Sequence, residues 1–311
     1  MTFGPDPVRG HDTGYGGRSF VLNGNLLGMS SMMMWAAGFP AAEVLLQTWP
    51  PLTLITARFA VAVSLMIAIW LWLDGHRQVL DANWMRACWV GGIGFGAGTY
   101  LMLLAQSLTD PVTVALIASC APLVGAVLEL FAKARRMSWR FALGVAASIT
   151  GGVVATSALE PSQIGVGAAC AVIATILFTW AGMVTARDFP NLSTIGRGTI
   201  TLAGGLIAMS VICLTGFALG HDLMPLGPVD TGQMGMLLIY ACLALGLSQV
   251  LFVASISNLG VTVASFHINT APFYVMILMV VLGAGWDWLQ ALGAGIVALG
   301  VVLAQGGQRP A

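Results

Sequence analysis

One apolar segment carries the clearest group of residues able to bind another molecule. His267, Thr270 and Tyr274 are spaced i, i+3 and i+7, so a continuous helix would place them on one face. Pro272 lies among them and leaves one backbone carbonyl without its usual helical donor. With the amide of Asn269, these groups could hydrogen-bond a small molecule and provide an aromatic wall. A role for His267 in hydrogen-bonding a neighbouring helix is equally consistent with the sequence.

Four further residues are candidates for contact with the same molecule. Each is large or polar and lies within an apolar segment: Trp35, Tyr100, Trp180 and Gln249. Trp35 ends the run MSSMMMW, and methionine adapts to apolar shapes of many kinds. Such a stripe is also typical of ordinary packing. The chemistry indicated is non-covalent binding of a bulky, partly polar molecule.

Two charged residues also interrupt apolar segments. Glu43 and Arg58 lie at similar distances on either side of the turn near Pro50, so they could form an ion pair that fixes two helices. Alternatively, Arg58 could bind a substrate carboxylate or act in gating, because ionisable groups within a membrane are costly and often functional. Pro122 and Pro272 are further candidates for a gating or structural role.

The composition explains why these polar residues stand out. Hydrophobic residues make up 58% of the chain and charged residues only 8%, against roughly 25% in soluble domains. The sequence therefore predicts a membrane protein. Its net charge of zero argues against nucleic-acid binding. The five cysteines are scattered singly, with no spacing typical of a metal site, so we expect no metal and no cofactor.

The apolar segments are long enough for ten membrane-spanning helices, each of which needs about 20 residues. The predicted limits are 22–46, 52–73, 84–106, 111–132, 139–158, 164–185, 197–219, 233–254, 260–282 and 287–305. If the amino terminus is cytoplasmic, eleven of the twelve Lys and Arg residues fall in inner segments and none in outer loops. The positive-inside rule then predicts that both termini are cytoplasmic, in a bacterial-type inner membrane.

An internal repeat organises these helices. VTVALIASCAP (112–122) is nearly repeated in VTVASFHINTAP (261–272), and the similarity continues from FALGVAASITGGVVA (141–155) to QALGAGIVALGVVLA (290–304). The sequence thus predicts a cytoplasmic tail over residues 1–20, then five-helix repeats over 21–160 and 161–307. Because five is odd, the second repeat enters the membrane from the opposite side, as in many secondary transporters.

These motifs, together with TARFAVA (56–62) in the second helix, resemble the drug/metabolite transporter superfamily and its ten-helix EamA-like exporters. The resemblance covers nearly the whole chain after residue 20. It implies an all-α membrane protein with two inverted five-helix repeats and a substrate cavity between them. The chain departs from the family pattern after the fourth and ninth helices, where KARRMSW and LGAGWDW replace a Gly-Glu pair. That departure weakens any role in this protein for the glutamate of that pair.

The function that follows is export of small metabolites by alternating access. We expect amino acids with large apolar or aromatic side chains, similar to the YddG type of exporter, moved by a monomer or homodimer without a required proton. The alternative substrates are drugs or other metabolites such as nucleosides and sugar derivatives. More distant alternatives are a channel subunit or an intramembrane enzyme, although no motif of a catalytic nucleophile is present.

Overall fold

The computed structural model describes residues 16–131, 138–156, 161–259 and 261–305, and these form ten helices, α1 to α10. In the first half, α1 comprises Gly16–Ala36 and Gly38–Leu46, α2 is Pro51–Leu80, α3 comprises Trp84–Val90, Gly91–Ala97 and Gly98–Leu108, α4 comprises Pro111–Ala118 and Ala121–Phe131, and α5 is Trp139–Thr156. In the second half, α6 is Pro161–Asp188, α7 is Thr194–Ala218, α8 comprises Thr231–Leu238, Ile239–Leu247 and Ser248–Leu259, α9 comprises Val261–Phe266, His267–Thr270 and Ala271–Val281, and α10 is Trp288–Gln305.

The helix starts follow from local sequence. The Asp110 carboxylate accepts hydrogen bonds from two backbone N–H groups in the first turn of α4, and Asp230 accepts one in α8. The Ser193 hydroxyl does the same for α7. Pro51 and Pro111 occupy first-turn positions, where a missing N–H costs nothing. These caps satisfy the free donors that every helix start leaves.

Length and apolar composition suit these helices to a membrane. Six helical stretches among the described residues are long and apolar enough to span it: Pro51–Leu80, Trp84–Leu108, Pro111–Leu128, Gly165–Asp188, Thr194–Ala218 and Thr231–Ile256. Three shorter apolar helices join them, namely Trp139–Ala155, His267–Val281 and Trp288–Ala304. The predicted all-α membrane fold is therefore confirmed. The predicted tail differs in one respect: α1 begins at Gly16, and residues 1–15 lie outside the described residues.

Irregular turns mark the two halves as copies of one another. A π-helical segment interrupts α3 at Gly91–Ala97, and another interrupts α8 at Ile239–Leu247, about 149 residues later. Similarly, α4 breaks between Ala118 and Ala121, and α9 contains the 3-10 turn His267–Thr270 at the matching place. Each break is followed directly by the Ala-Pro pair of its repeat. The halves thus share their departures from regular helix as well as their sequence.

Packing joins the two repeats through matching helix pairs. α1 packs against α8, α3 against α6, α2 and α3 against α7, and α5 against α10. Glycine allows the closest of these approaches: a Cβ added to Gly151 in α5 would lie 2.7 Å from the Gly293 carbonyl oxygen of α10. The backbones of α5 and α10 are thus in direct contact, as small residues permit in membranes. The predicted boundary between the repeats, at residues 160 and 161, adjoins positions 157–160, which lie outside the described residues.

Candidate functional site

A cavity of about 280 Å³ lies in the middle of the helix bundle. Its walls come from both repeats, through α1, α2, α3 and α4 on one side and α6, α7, α8 and α9 on the other. The lining residues are Ser31, Met32, Trp35, Arg58, Phe59, Phe95, Thr99, Met102, Ala118, Ala121, Thr175, Phe178, Leu202, Ala244, Leu245, Ser248, Gln249, Phe252 and Ile268. The surface they offer is mostly apolar and aromatic, with a few polar groups. This is the usual composition of a small-molecule site.

The repeat places equivalent residues on opposite walls of the cavity. Three pairs are separated by 143 residues, two by 149 and one by 150. The pairs 143 residues apart are Met32 with Thr175, Trp35 with Phe178, and Phe59 with Leu202. Those 149 residues apart are Phe95 with Ala244 and Thr99 with Ser248, and the pair 150 residues apart is Ala118 with Ile268. The cavity therefore lies on the axis that relates the halves, where an inverted-repeat transporter would bind its substrate.

A narrower extension of about 60 Å³ continues the cavity toward the Leu46 end of α1. Hydrogen bonds close this end. The Gln106 side-chain amide of α3 donates to the Phe39 carbonyl of α1 at 2.8 Å and to the Glu43 carboxylate at 3.2 Å. Gln106 is fully enclosed, with 3% of its surface exposed. These bonds join α1 to α3 where the cavity would otherwise reach the surface.

Arg58 lines both the cavity and its extension. Its Nε donates to the Tyr240 carbonyl at 3.1 Å, and its guanidinium carbon lies 3.7 Å from the centre of the Tyr240 ring. The structure does not pair Glu43 with Arg58, which was one of the two alternatives that the sequence left open. Glu43 is held by Gln106, while the π-helical segment of α8 presents the Tyr240 carbonyl to Arg58 instead.

The opposite end of the cavity is bordered by two groups of helix segments. The last segment of α8 packs against α1, where the Ser31 hydroxyl donates to the Ser248 carbonyl at 2.7 Å and the Ser255 hydroxyl to the Gly24 carbonyl at 2.8 Å. The second segment of α4 packs instead against α6 and α10. Within the described ranges these two groups do not pack closely against each other.

The structure brings three of the sequence-predicted residues to the cavity, namely Trp35, Gln249 and Arg58. His267 lies elsewhere. Its side chain is 9% exposed, its Nδ1 is 3.1 Å from the Ala264 carbonyl, and its ring lies against Gly28 of α1. The 3-10 turn is the physical reason: its tighter winding rotates His267 toward α1 and presents Ile268 to the cavity.

The other predicted residues occupy different surroundings. Tyr100 is 36% exposed, Trp180 packs beside an apolar cluster centred on Val90, and Tyr274 packs against a second such cluster. Asn269 is 7% exposed, and neither its amide nitrogen nor its amide oxygen has a hydrogen-bond partner among the described residues. None of these four residues lines the central cavity.

The two predicted prolines lie where their helices resume. Pro122 is the second residue of Ala121–Phe131 in α4, and Pro272 is the second residue of Ala271–Val281 in α9. A proline at this position lacks an N–H that the helix start does not use. Both therefore fit the breaks that the structure shows before them.

Sequence reasoning missed Phe178, Thr99 and Phe59. Each is an ordinary apolar or hydroxyl residue within a membrane helix, so its type alone carries no signal. The repeat could have found the first of them, because Phe178 follows Trp35 by the spacing that relates α1 to α6.

Comparison with known proteins agrees with the twofold repeat of the chain. The model of the EamA-like transporter family matches the chain twice, over residues 22–157 and 165–305. The chain belongs to the EamA-like transporter family. Among curated proteins, the Uncharacterized transporter YyaM of Bacillus subtilis (strain 168) is 24% identical over 287 residues, covering 90% of this chain and 92% of that protein. A solved structure titled only "Crystal structure of protein" shares the fold, with a TM-score of 0.65, 18% identity and coverage of 93% and 99%.

Membership of the EamA-like family establishes the general role of the molecule. It is a multi-pass membrane transporter with the two-repeat fold of the drug/metabolite transporter superfamily. Its partners are the lipid bilayer and a small-molecule substrate.

Proposed function

We propose that this EamA-like transporter is a carrier for amino acids with large apolar or aromatic side chains, which it exports from the cytoplasm. The observation that carries the proposal is the central cavity. A volume of about 280 Å³ suits one such molecule, and the lining is largely apolar. Trp35 and Phe178 face the cavity from equivalent positions and provide flat surfaces for an aromatic or branched side chain.

Polar groups at the cavity wall could bind the amino and carboxylate groups of an amino acid. Gln249 offers both a donor and an acceptor, Thr99 a hydroxyl, and Arg58 a positive charge. Because Arg58 is the charged residue of this lining, it is the natural contact for the substrate carboxylate. No covalent step is needed to move such a substrate, which favours transport over catalysis.

The distribution of charge supports a direction for the cavity. Arg77, Arg86 and Arg187 lie at the loosely packed end near Phe131, toward which we infer that the cavity opens, whereas Asp110 and Asp230 lie at the end closed by the Gln106 hydrogen bonds. The positive-inside rule then assigns the open end to the cytoplasm, with both termini on that side. In this orientation the structure represents the inward-facing state of an inner-membrane transporter, which loads substrate from the cytoplasm.

Release follows from the repeat. If the two halves exchange conformations, the closed end opens and the open end closes, which delivers the cavity to the other side. The described lining residues include no carboxylate that would take up a proton, so we propose facilitated transport down the substrate gradient. One chain encloses the whole cavity, so a monomer suffices as the transport unit even if two copies associate.

The test is uptake of labelled Phe and Trp by liposomes containing the purified protein, without an imposed ion gradient. We expect saturable uptake. Trp35→Ala should raise KM at least about tenfold because it removes part of the apolar wall, while Trp72→Ala, at a side chain 83% exposed on the outside, should not. Uptake that rises linearly with concentration would indicate a channel. No uptake of either amino acid would reject the proposal and favour drugs, nucleosides or sugar derivatives.

A further inference from the structure

The charges around the cavity are unbalanced. Arg58 is the one charged residue among its described lining residues, and no Asp or Glu joins it there. Glu43, the acid that the sequence suggested as its partner, accepts a hydrogen bond from Gln106 and lies outside the lining. His267 faces α1. The site therefore presents a single positive charge in the middle of a membrane protein.

Arg58 has more hydrogen-bond donors than its contacts with Tyr240 occupy. A guanidinium has five N–H donors, and the Nε donor is taken by the Tyr240 carbonyl. The guanidinium also interacts with the Tyr240 side chain, but no carboxylate pairs with its terminal nitrogens among the described residues. A charge buried without a counter-charge is costly in a membrane protein. A carboxylate bound in the cavity would supply both the counter-charge and a matching pair of acceptors.

Among its described lining residues the cavity has no negatively charged partner for an ammonium group. The hydroxyls of Ser31, Ser248 and Thr175 each donate to a backbone carbonyl, so they are already engaged as donors and offer only neutral oxygens. An ammonium group would gain hydrogen bonds to neutral acceptors and would be repelled by Arg58. The α-amino group of an amino acid would thus add little to binding.

From these contacts we propose that the site selects monocarboxylates with an apolar body, and that Arg58 is the residue that determines this specificity. This inference rests on the proposed function and specifies which groups of the substrate are recognised: large apolar amino acids are substrates because of their carboxylate and side chain. Deaminated analogues of the same size are then substrates as well. Their transport moves one net negative charge, whereas transport of a zwitterion moves none.

Three ligands of one shape test the proposal. Labelled Phe uptake is measured in competition with unlabelled Phe, with 3-phenylpropionate, which lacks the amino group, and with 2-phenylethylamine, which lacks the carboxylate. We expect 3-phenylpropionate to compete within about threefold of Phe or better, and the amine at least about tenfold more weakly. An amine that competes as well as the carboxylate would overturn the proposal.

Substitution of Arg58 gives a second, independent readout. Arg58→Gln should weaken competition by 3-phenylpropionate about tenfold or more and leave the amine unchanged, and Arg58→Lys should lie between, since lysine keeps the charge without the paired donors. Arg86→Gln is the matched control, because Arg86 pairs with Asp188 away from the cavity. If Arg58→Gln does not fold, Arg58→Lys provides the comparison. An equal effect of the Arg58 change on acid and amine would refute the assignment.

Charge movement separates this inference from the proposed function. In proteoliposomes with an imposed potassium diffusion potential, 3-phenylpropionate uptake should increase when the interior is positive, after subtraction of protein-free liposomes, and Phe uptake should not respond. Transport of Phe without transport of 3-phenylpropionate would overturn the inference and keep the proposed function. Transport of 3-phenylpropionate without Phe would support the inference and reject the amino-acid assignment. Transport of neither rejects both.

Discussion

Replacing Gln106 with leucine should open the closed end of the cavity. The Gln106 amide forms one hydrogen bond to the Phe39 carbonyl and one to the Glu43 carboxylate, and both link α3 to α1. A neutral hydrogen bond contributes about 1 kcal/mol, and one to a charged group about 2 kcal/mol. Leucine has similar bulk but no donor. The loss of about 3 kcal/mol should therefore shift the balance between closed and open states roughly 100-fold toward the open one.

The assay is chemical labelling of a cysteine placed at Thr99, which lines both the cavity and its closed extension. The five native cysteines, none of which forms a disulfide, are first replaced. A membrane-impermeant maleimide is then added on the side of the closed end, and the labelling rate is measured with and without Gln106→Leu. We expect the rate to rise by at least tenfold.

Ser107→Ala is the control, because its hydroxyl donates only to the Leu104 carbonyl of its own helix. That variant should label at the original rate. An unchanged rate in Gln106→Leu, with the melting temperature also unchanged, would show that these bonds do not hold the end closed. A lower rate would contradict the assignment of this end as the closed one.

Three further predictions concern other positions. Gly151→Leu should abolish monodisperse protein, because the new side chain meets the α10 backbone, whereas Gly152→Leu, which faces open space, should be tolerated; size-exclusion chromatography compares them. His267→Ala should lower the melting temperature and leave KM unchanged, whereas Gln249→Ala should raise KM with little loss of stability; the reverse pattern would return His267 to the substrate site. Asn269→Leu should keep or raise the melting temperature, since it replaces two unpaired buried polar atoms with an apolar group of similar shape, and a drop of several degrees would reveal a partner.

The helix number and the repeat could be predicted from sequence because both depend on features that extend over many residues. Twenty apolar positions in a row specify a span whatever the neighbouring helices do. The copied VTVA and Ala-Pro phrases specify which spans correspond. These signals are insensitive to the detailed path of the backbone, so local breaks in α4 and α9 did not disturb them.

The cavity lining was harder to predict because it depends on that path. The face assigned to His267 assumed regular helical spacing, and the 3-10 turn at His267–Thr270 changes it. The pairing of Glu43 with Arg58 assumed that similar depth brings two side chains together, but neighbours from α3 and α8 reach each of them first. Residues of α8 come next to α2 only after folding, and the sequence of α2 contains no sign of this approach.

The side chains that line the cavity differ in size between the two repeats. Trp35, Phe59 and Phe95 of the first repeat correspond to the smaller Phe178, Leu202 and Ala244 of the second. Exchanging the conformations of the halves therefore does not produce an equivalent cavity on the other side of the membrane. The KM for substrate should differ between the two sides. Without a coupled ion, net flux must still vanish at equal electrochemical potential of the substrate. For an uncharged substrate or at zero membrane potential, the ratio of maximal rate to KM must then be the same in both directions, so a face with tighter binding must also have the slower maximal rate.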